Sequence, residues 1–154
     1  MQLSIDYKIP RKLNKLSIMN IEINDYVDEL VQNVVFSGLR SYNDKFATRN
    51  QMDYSIVAKQ DEKIVGVAIG ESKYDWLILQ YLWIEELFRG QGLGNTIIKN
   101  LEALARKRNL VGIHLDTFEF QARGFYEKSG FVLFGEIEDH PSGYKRYFMK
   151  KNLS

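Results

Sequence analysis

The chain has 154 residues, 45% of them hydrophobic, which suits one domain with a real core; the charged residues, 27%, nearly cancel at a net +1. Such neutrality gives no global drive toward nucleic acid or an anionic membrane, and the absence of cysteine excludes disulfides, thiolate nucleophiles and Cys-based metal sites. No apolar run approaches the roughly 18 residues of a membrane span, the opening Met1–Asp6 lacks the blocks of a signal peptide, and the lack of thiols fits a reducing cytoplasm.

Residues 1–15 read as an N-terminal extension in which Ile5, Tyr7 and Ile9 alternate as a short strand would. Leu16, Ile18, Ile21 and Ile23 alternate more clearly and predict a first strand. Asn24 is expected to cap a helix running to about Ser41, with Asp25, Asp28 and Glu29 in its first turn and Val27, Leu30, Val31, Val34 and Val35 as its apolar stripe. Residues 42–52 read as a loop. Tyr54–Ala58 and Ile64–Gly70 predict a hairpin turning at Gln60–Lys63. Trp76–Ile84 is almost wholly apolar, as a central strand covered on both faces would be.

A glycine-rich loop follows, then a helix over about 93–108 with Ile97, Ile98, Leu101, Leu104 and Ala105 buried. Val111–Thr117 predicts a strand. Gln121–Ser129 predicts a short helix stopped by Gly130. Phe131–Ile137 and Tyr144–Lys150 close as a hairpin around His140–Gly143. The order is β-α-β-β-β-α-β-α-β-β, an α+β fold with a mixed sheet, parallel only within the strand–helix–strand unit at 76–117. Residues 1–154 read as one domain.

Gly90, Gly92 and Gly94 sit between a buried strand and an amphipathic helix. Glycine permits positive φ and close backbone approach. A helix N-terminus offers unpaired N–H groups and partial positive charge. Together they suit a phosphate, and Arg89 adds a directed cation. Asn95 stands where a dinucleotide fingerprint needs glycine, and no Gly-Lys-Ser/Thr follows as in a P-loop. By spacing alone, a ligand-free turn stays open.

Arg89-Gly90-Gln91-Gly92-Leu93-Gly94 resembles the Q/R-x-x-G-x-G/A signature of the GNAT superfamily of N-acetyltransferases. Leu82–Phe88 looks like that family's lead-in strand, and Ala122–Phe131 resembles its A-x-x-F-Y-x-x-x-G-F segment. The resemblance covers residues 16–151. It implies acetyl-CoA as co-substrate, its pantetheine arm paired to the backbone of Trp83 and Ile84 and its pyrophosphate held by Arg89, Gly90, Gln91, Gly92, Leu93, Gly94 and Asn95. It implies Tyr126 as the group that protonates the leaving thiolate. Glu119 stands where the family often has asparagine, a departure that puts the usual polar contact there in doubt.

The implied reaction is direct acetyl transfer in a ternary complex to a primary amine of a small molecule or peptide. A non-catalytic acyl-CoA sensor and a transferase of larger acyl groups remain alternatives. An ammonium must lose a proton before it attacks. Asp116 and then Glu119, at the C-terminal end of a central strand, are the candidate bases, though Asp116 could instead cap a helix or pair with a cation. Gln80 and Tyr81 could orient a water. His114 reads as half-buried within a strand, and two isolated histidines argue against a metal site. Arg106-Lys107-Arg108 reads as a solvated helix end. The sequence names no nucleic-acid or membrane partner and leaves a homodimer open.

Overall fold

The computed structural model describes residues 21–153. The chain divides into two compact units, Met1–Phe46 and Ala47–Ser154, each taken here by itself. The strand expected at 16–23 and the alternation at 5–9 fall almost wholly outside the described residues. Among those residues, no helix is long and apolar enough to cross a membrane.

The first unit contributes α1, Glu29–Asn43. Its cap is Asp28, not Asn24: Asp28 Oδ1 accepts from the N–H groups of Leu30 (2.8 Å) and Val31 (3.3 Å). Both residue types cap well, but the carboxylate also meets the positive helix end with a full charge, and Glu29 reinforces it.

The second unit is a six-stranded sheet in the order β1-β2-β3-β4-β6-β5. The strands are β1 Met52–Gln60, β2 Lys63–Lys73, β3 Trp76–Ile84, β4 Gly112–Phe118, β5 Val132–Ile137 and β6 Arg146–Asn152. The helices are α2 Leu93–Lys107 and α3 Arg123–Lys128, with a single 3-10 turn at Glu86–Phe88. Only β3 and β4 pair in parallel, across the α2 crossover; every other pair is antiparallel. From α1 onward the element order is the expected one.

Helix α2 buries Ile97, Ile98, Leu101 and Ala105 against the sheet face formed by Ala68, Leu77, Leu79, Ile113, Leu115 and Met149. Each fully buried aliphatic side chain contributes about 1.5–3 kcal/mol, so this layer is the main source of stability. The end of α2 is not simply solvated. Arg108 Nη1 donates to Met52 O and Ser72 Oγ, both at 3.1 Å, and Nη2 donates to Asp53 O at 3.2 Å, tying α2 to the start of β1.

Strand β3 has the bounds expected of it, Trp76–Ile84. Within this unit one face packs on the core, and the phase of that face changes midway. Leu77 and Leu79 are buried, whereas further on Leu82 and Ile84 are the residues packed against the core. The cause is a bulge: Ile69 pairs with Tyr81 and Gly70 with Leu79, which leaves Gln80 as the extra residue. One extra residue reverses which side chains face in.

Candidate active site

The bulge lies where β3 and β4 separate. Their parallel register runs from Trp76↔Gly112 to Leu79↔Leu115 and then stops. Beyond it, Gln80–Ile84 and Asp116–Phe118 continue without pairing each other. A bulge bends its strand and raises its twist, which carries β3 away from β4. The backbone around it is pinned. The buried Tyr54 hydroxyl donates to Ile78 O at 3.0 Å, passing close over Gly70. Any Cβ at Gly70 would collide with the Ile78 carbonyl and the Tyr54 ring.

The gap between the separated strands is a cleft of about 780 Å³. Its β3 wall presents main-chain groups. Glu85 N–H donates to Val65 O at 3.0 Å. By strand alternation the backbone of Trp83 therefore faces β2, with Val67 as its partner, and the backbones of Leu82 and Ile84 face the cleft. Of the two residues expected to pair with a pantetheine arm, Ile84 turns its main chain toward the cleft and Trp83 turns its own toward β2. The Ile84 carbonyl already accepts from Arg89 Nε at 2.9 Å.

The floor at one end is the glycine loop. Gly90 and Gly92 have φ of 72° and 87°, and a Cβ at either would meet nothing. Positive φ, not crowding, is what calls for glycine there, and the same absence of side chains leaves the main chain open to a ligand. Gly92 is the N-cap of α2 and provides no side-chain cap, so the first N–H groups of a 15-residue helix point out of its end. Gly94 answers a different need: a Cβ would lie 3.0 Å from the Phe125 ring and 3.2 Å from Ile84. Arg89, Gly90, Gly92, Gly94 and Asn95 all line the cleft, as do Trp83 and Ile84. Gln91 and Leu93 do not. Gln91 Nε2 donates to Leu87 O at 2.6 Å, and Leu93 packs against the core.

The β4 wall brings Asp116 and Tyr126 into the same cleft. Tyr126, on α3, is only 7% exposed and packs edge-on against Phe125 and Phe131. Burial first, and the Asp116 charge second, push its phenol up to about 12. It is therefore a neutral donor at any ordinary pH. Asp116 Oδ2 accepts from Arg146 Nε at 2.7 Å, the ion pair that its sequence position left open. Arg146 also lies over the rings of Phe118 and Phe148, and its Nη1 is 3.4 Å from His140 Nε2.

Glu119 is elsewhere: it does not line the cleft, its Oε2 accepts from Lys145 N–H at 3.0 Å, and its own N–H donates to Lys145 O. Gln80 and Tyr81 do line it. His114 lies on β4 beside Trp76, 6.0 Å between ring centres, and burial holds its imidazole below the ordinary value against the opposing pull of Asp116.

Sequence reasoning did not single out several lining residues, Leu82, Thr117, Phe120 and Gln121 among them. Gln121 Oε1 accepts from Thr117 Oγ1 (3.2 Å) and from Phe118 N–H (2.9 Å), closing the end of β4. The available signal was alternation: Ile113, Leu115 and Thr117 share one side of β4, and a hydroxyl in that buried row needs a partner nearby.

The chain matches the acetyltransferase (GNAT) family over residues 17–131. It is 35% identical to a blasticidin-S acetyltransferase from Streptomyces morookaense over 92 residues, 59% of this chain and 68% of that protein. It superposes on an acetyltransferase from Bacillus cereus with a TM-score of 0.78 at 29% identity, covering 85% of this chain and 97% of that one. An aminoglycoside 6'-N-acetyltransferase complexed with coenzyme A shares the fold, with a TM-score of 0.62 at 16% identity, over 85% and 95% of the two chains. Separated central strands, an uncapped glycine turn at a helix start and a family match over three quarters of the sequence agree: the chain belongs to the GNAT family of acetyltransferases, acyl-CoA-dependent transferases.

Proposed function

We propose that the protein transfers the acetyl group of acetyl-CoA to a primary amine of a small molecule or peptide, directly, in a ternary complex. The observation that carries this reading is the placement of a buried phenol, a carboxylate and an open helix N-terminus around one cleft. The pyrophosphate belongs on the main chain of Arg89–Asn95, and the pantetheine arm along Leu82 and Ile84 as an added strand would lie. That CoA is bound by a protein of the same fold supports the assignment.

The neutral amine attacks the thioester carbon, the C–S bond breaks, and the sulfur leaves as thiolate. Tyr126 supports that departure. A thiol has an ordinary value near 8.5, well below a phenol held at about 12. Full proton transfer from Tyr126 is therefore uphill, and its first service is a hydrogen bond to the developing thiolate. The ammonium first gives its proton to Asp116 through Oδ1, the oxygen not bonded to Arg146 Nε, or to water beside Gln80, and the second proton, which the nitrogen sheds as the tetrahedral adduct collapses, ends on the departing thiolate.

Two measurements test the reading together. Acetyl-CoA should raise the melting temperature by mass action, and a pooled amine screen should release free CoA. A protein that shows no thermal shift with saturating acetyl-CoA is not this enzyme. One that shifts but never releases CoA is a binding protein.

A further inference from the structure

Phe120 is out of place for a phenylalanine. It lines the cleft, and it is 56% exposed although Tyr126 and Phe131 nearby are buried. It is also held firmly. Its ring stacks on Phe118 at 5.3 Å with only 11° between planes, and Tyr144, itself 46% exposed, meets it edge-on at 5.0 Å and 81°. Arg146 lies over Phe118 in turn, with its Nε on Asp116. The row therefore leads from an exposed aromatic ring to Asp116, the one carboxylate lining the cleft among the described residues.

We propose that Phe120 and Tyr144 form a stacking platform for the acceptor, and that the acceptor carries its amine on a flat, π-faced body. A fixed aromatic ring recognises a second ring by offset stacking, about 0.5–1.5 kcal/mol beyond the area buried. Edge-on Tyr144 walls one side of the platform. With the ring on Phe120, an ammonium on a short arm is drawn toward Asp116, whose carboxylate is held in place by Arg146 Nε at 2.7 Å. The inference rests on the transferase reading only in naming the amine as the reactive end; ring recognition stands on the aromatic geometry.

The test compares phenethylamine with cyclohexylethylamine, which differ in flatness and not in arm length. Cyclohexyl is the more apolar ring, so burial alone would favour it. Ligand-observed NMR titration of the CoA-saturated protein should show phenethylamine binding about threefold to tenfold tighter. F120L keeps apolar volume and removes the π face. It should bring the ratio to about one while keeping the thermal shift with acetyl-CoA. Equal binding by the wild-type protein, no binding by either amine, or an F120L ratio unchanged from wild type would overturn the platform. A separate thermal-shift measurement with acetyl-CoA keeps the two ideas apart: absence of that shift overturns the transferase, while loss of ring discrimination overturns only the platform.

Discussion

Strands β3 and β4 start out as paired neighbours, yet their two halves do opposite things. From Trp76 to Leu79 and Gly112 to Leu115 they are hydrogen-bonded, and Leu77, Leu79, Ile113 and Leu115 are buried under α2. From Gln80 and Asp116 onward they part, and the side chains become Gln80, Tyr81, Asp116 and Thr117 around a cleft. The first half satisfies its main chain internally and contributes stability. The second leaves main-chain donors facing a void, a state that costs stability unless water or a ligand completes it. One inserted residue, Gln80, separates the regimes. The lesson is that a binding cleft can be made from a sheet by interrupting one ladder, with the scaffold on either side unchanged.

The sharpest way to break the open half is at the helix it faces. G92V forces a β-branched residue into φ 87° and screens the α2 N–H groups. Acetyl-CoA should then give no thermal shift, while α2 and the core still fold cooperatively. In the next largest effect, Y126F should lower kcat about 10²-fold with acetyl-CoA affinity nearly intact, read by steady-state thiol release. D116N follows, with a loss of at most about 10²-fold in kcat/KM near neutrality, since water can share the proton. If Asp116 takes the ammonium proton, the loss should shrink as pH rises and free amine accumulates; a uniform loss at every pH assigns it to positioning. E119Q serves as the control and should leave the profile unchanged.

Two smaller effects sharpen the closed half. Y54F removes the bond to Ile78 O beside the bulge and should cost about 1–2 kcal/mol by urea unfolding. Protonation equilibria give the last. Burial raises the phenol of Tyr126, so the unfolded chain loses that proton first and stability should fall as pH rises above about 10. Burial lowers His114, so the unfolded chain gains a proton first and stability should fall as pH drops below about 6.5, an effect that H114N removes.

Most of the scaffold was readable in the residues. The apolar run gives β3 its observed bounds, Trp76–Ile84, and the 3.6-residue stripe of α2 matches its buried face. The bulge was not readable. In Leu77-Ile78-Leu79-Gln80-Tyr81-Leu82-Trp83-Ile84 every position but one is apolar or aromatic, so no alternation exists whose reversal could reveal an extra residue. The cap of α1 was misplaced because Asn24, Asp25 and Asp28 all suit a helix start, and only the hydrogen bonds distinguish them. The Arg108 ties to Met52 and Asp53 carbonyls join residues more than fifty positions apart, beyond any local pattern. Of the residues that line the cleft, Asp116, Tyr126 and the glycine turn were named from chemistry and motif. Phe120 was not, since an aromatic after a strand ordinarily signals core.

The close approach of Gly94 to Phe125 has a consequence for selectivity by length. With no Cβ between them, the start of α2 rests directly on the ring next to Tyr126, and Asn95 Oδ1 accepts a further bond from Ser129 Oγ at 3.4 Å. The turn proposed to grip the pyrophosphate and the phenol proposed to meet the sulfur are thereby mounted on one rigid bracket. That bracket works as a gauge. Only a donor whose arm spans its fixed gap can be held at the phosphates and presented at Tyr126 at once, and a thioester on a shorter arm would be gripped at one end and miss the other.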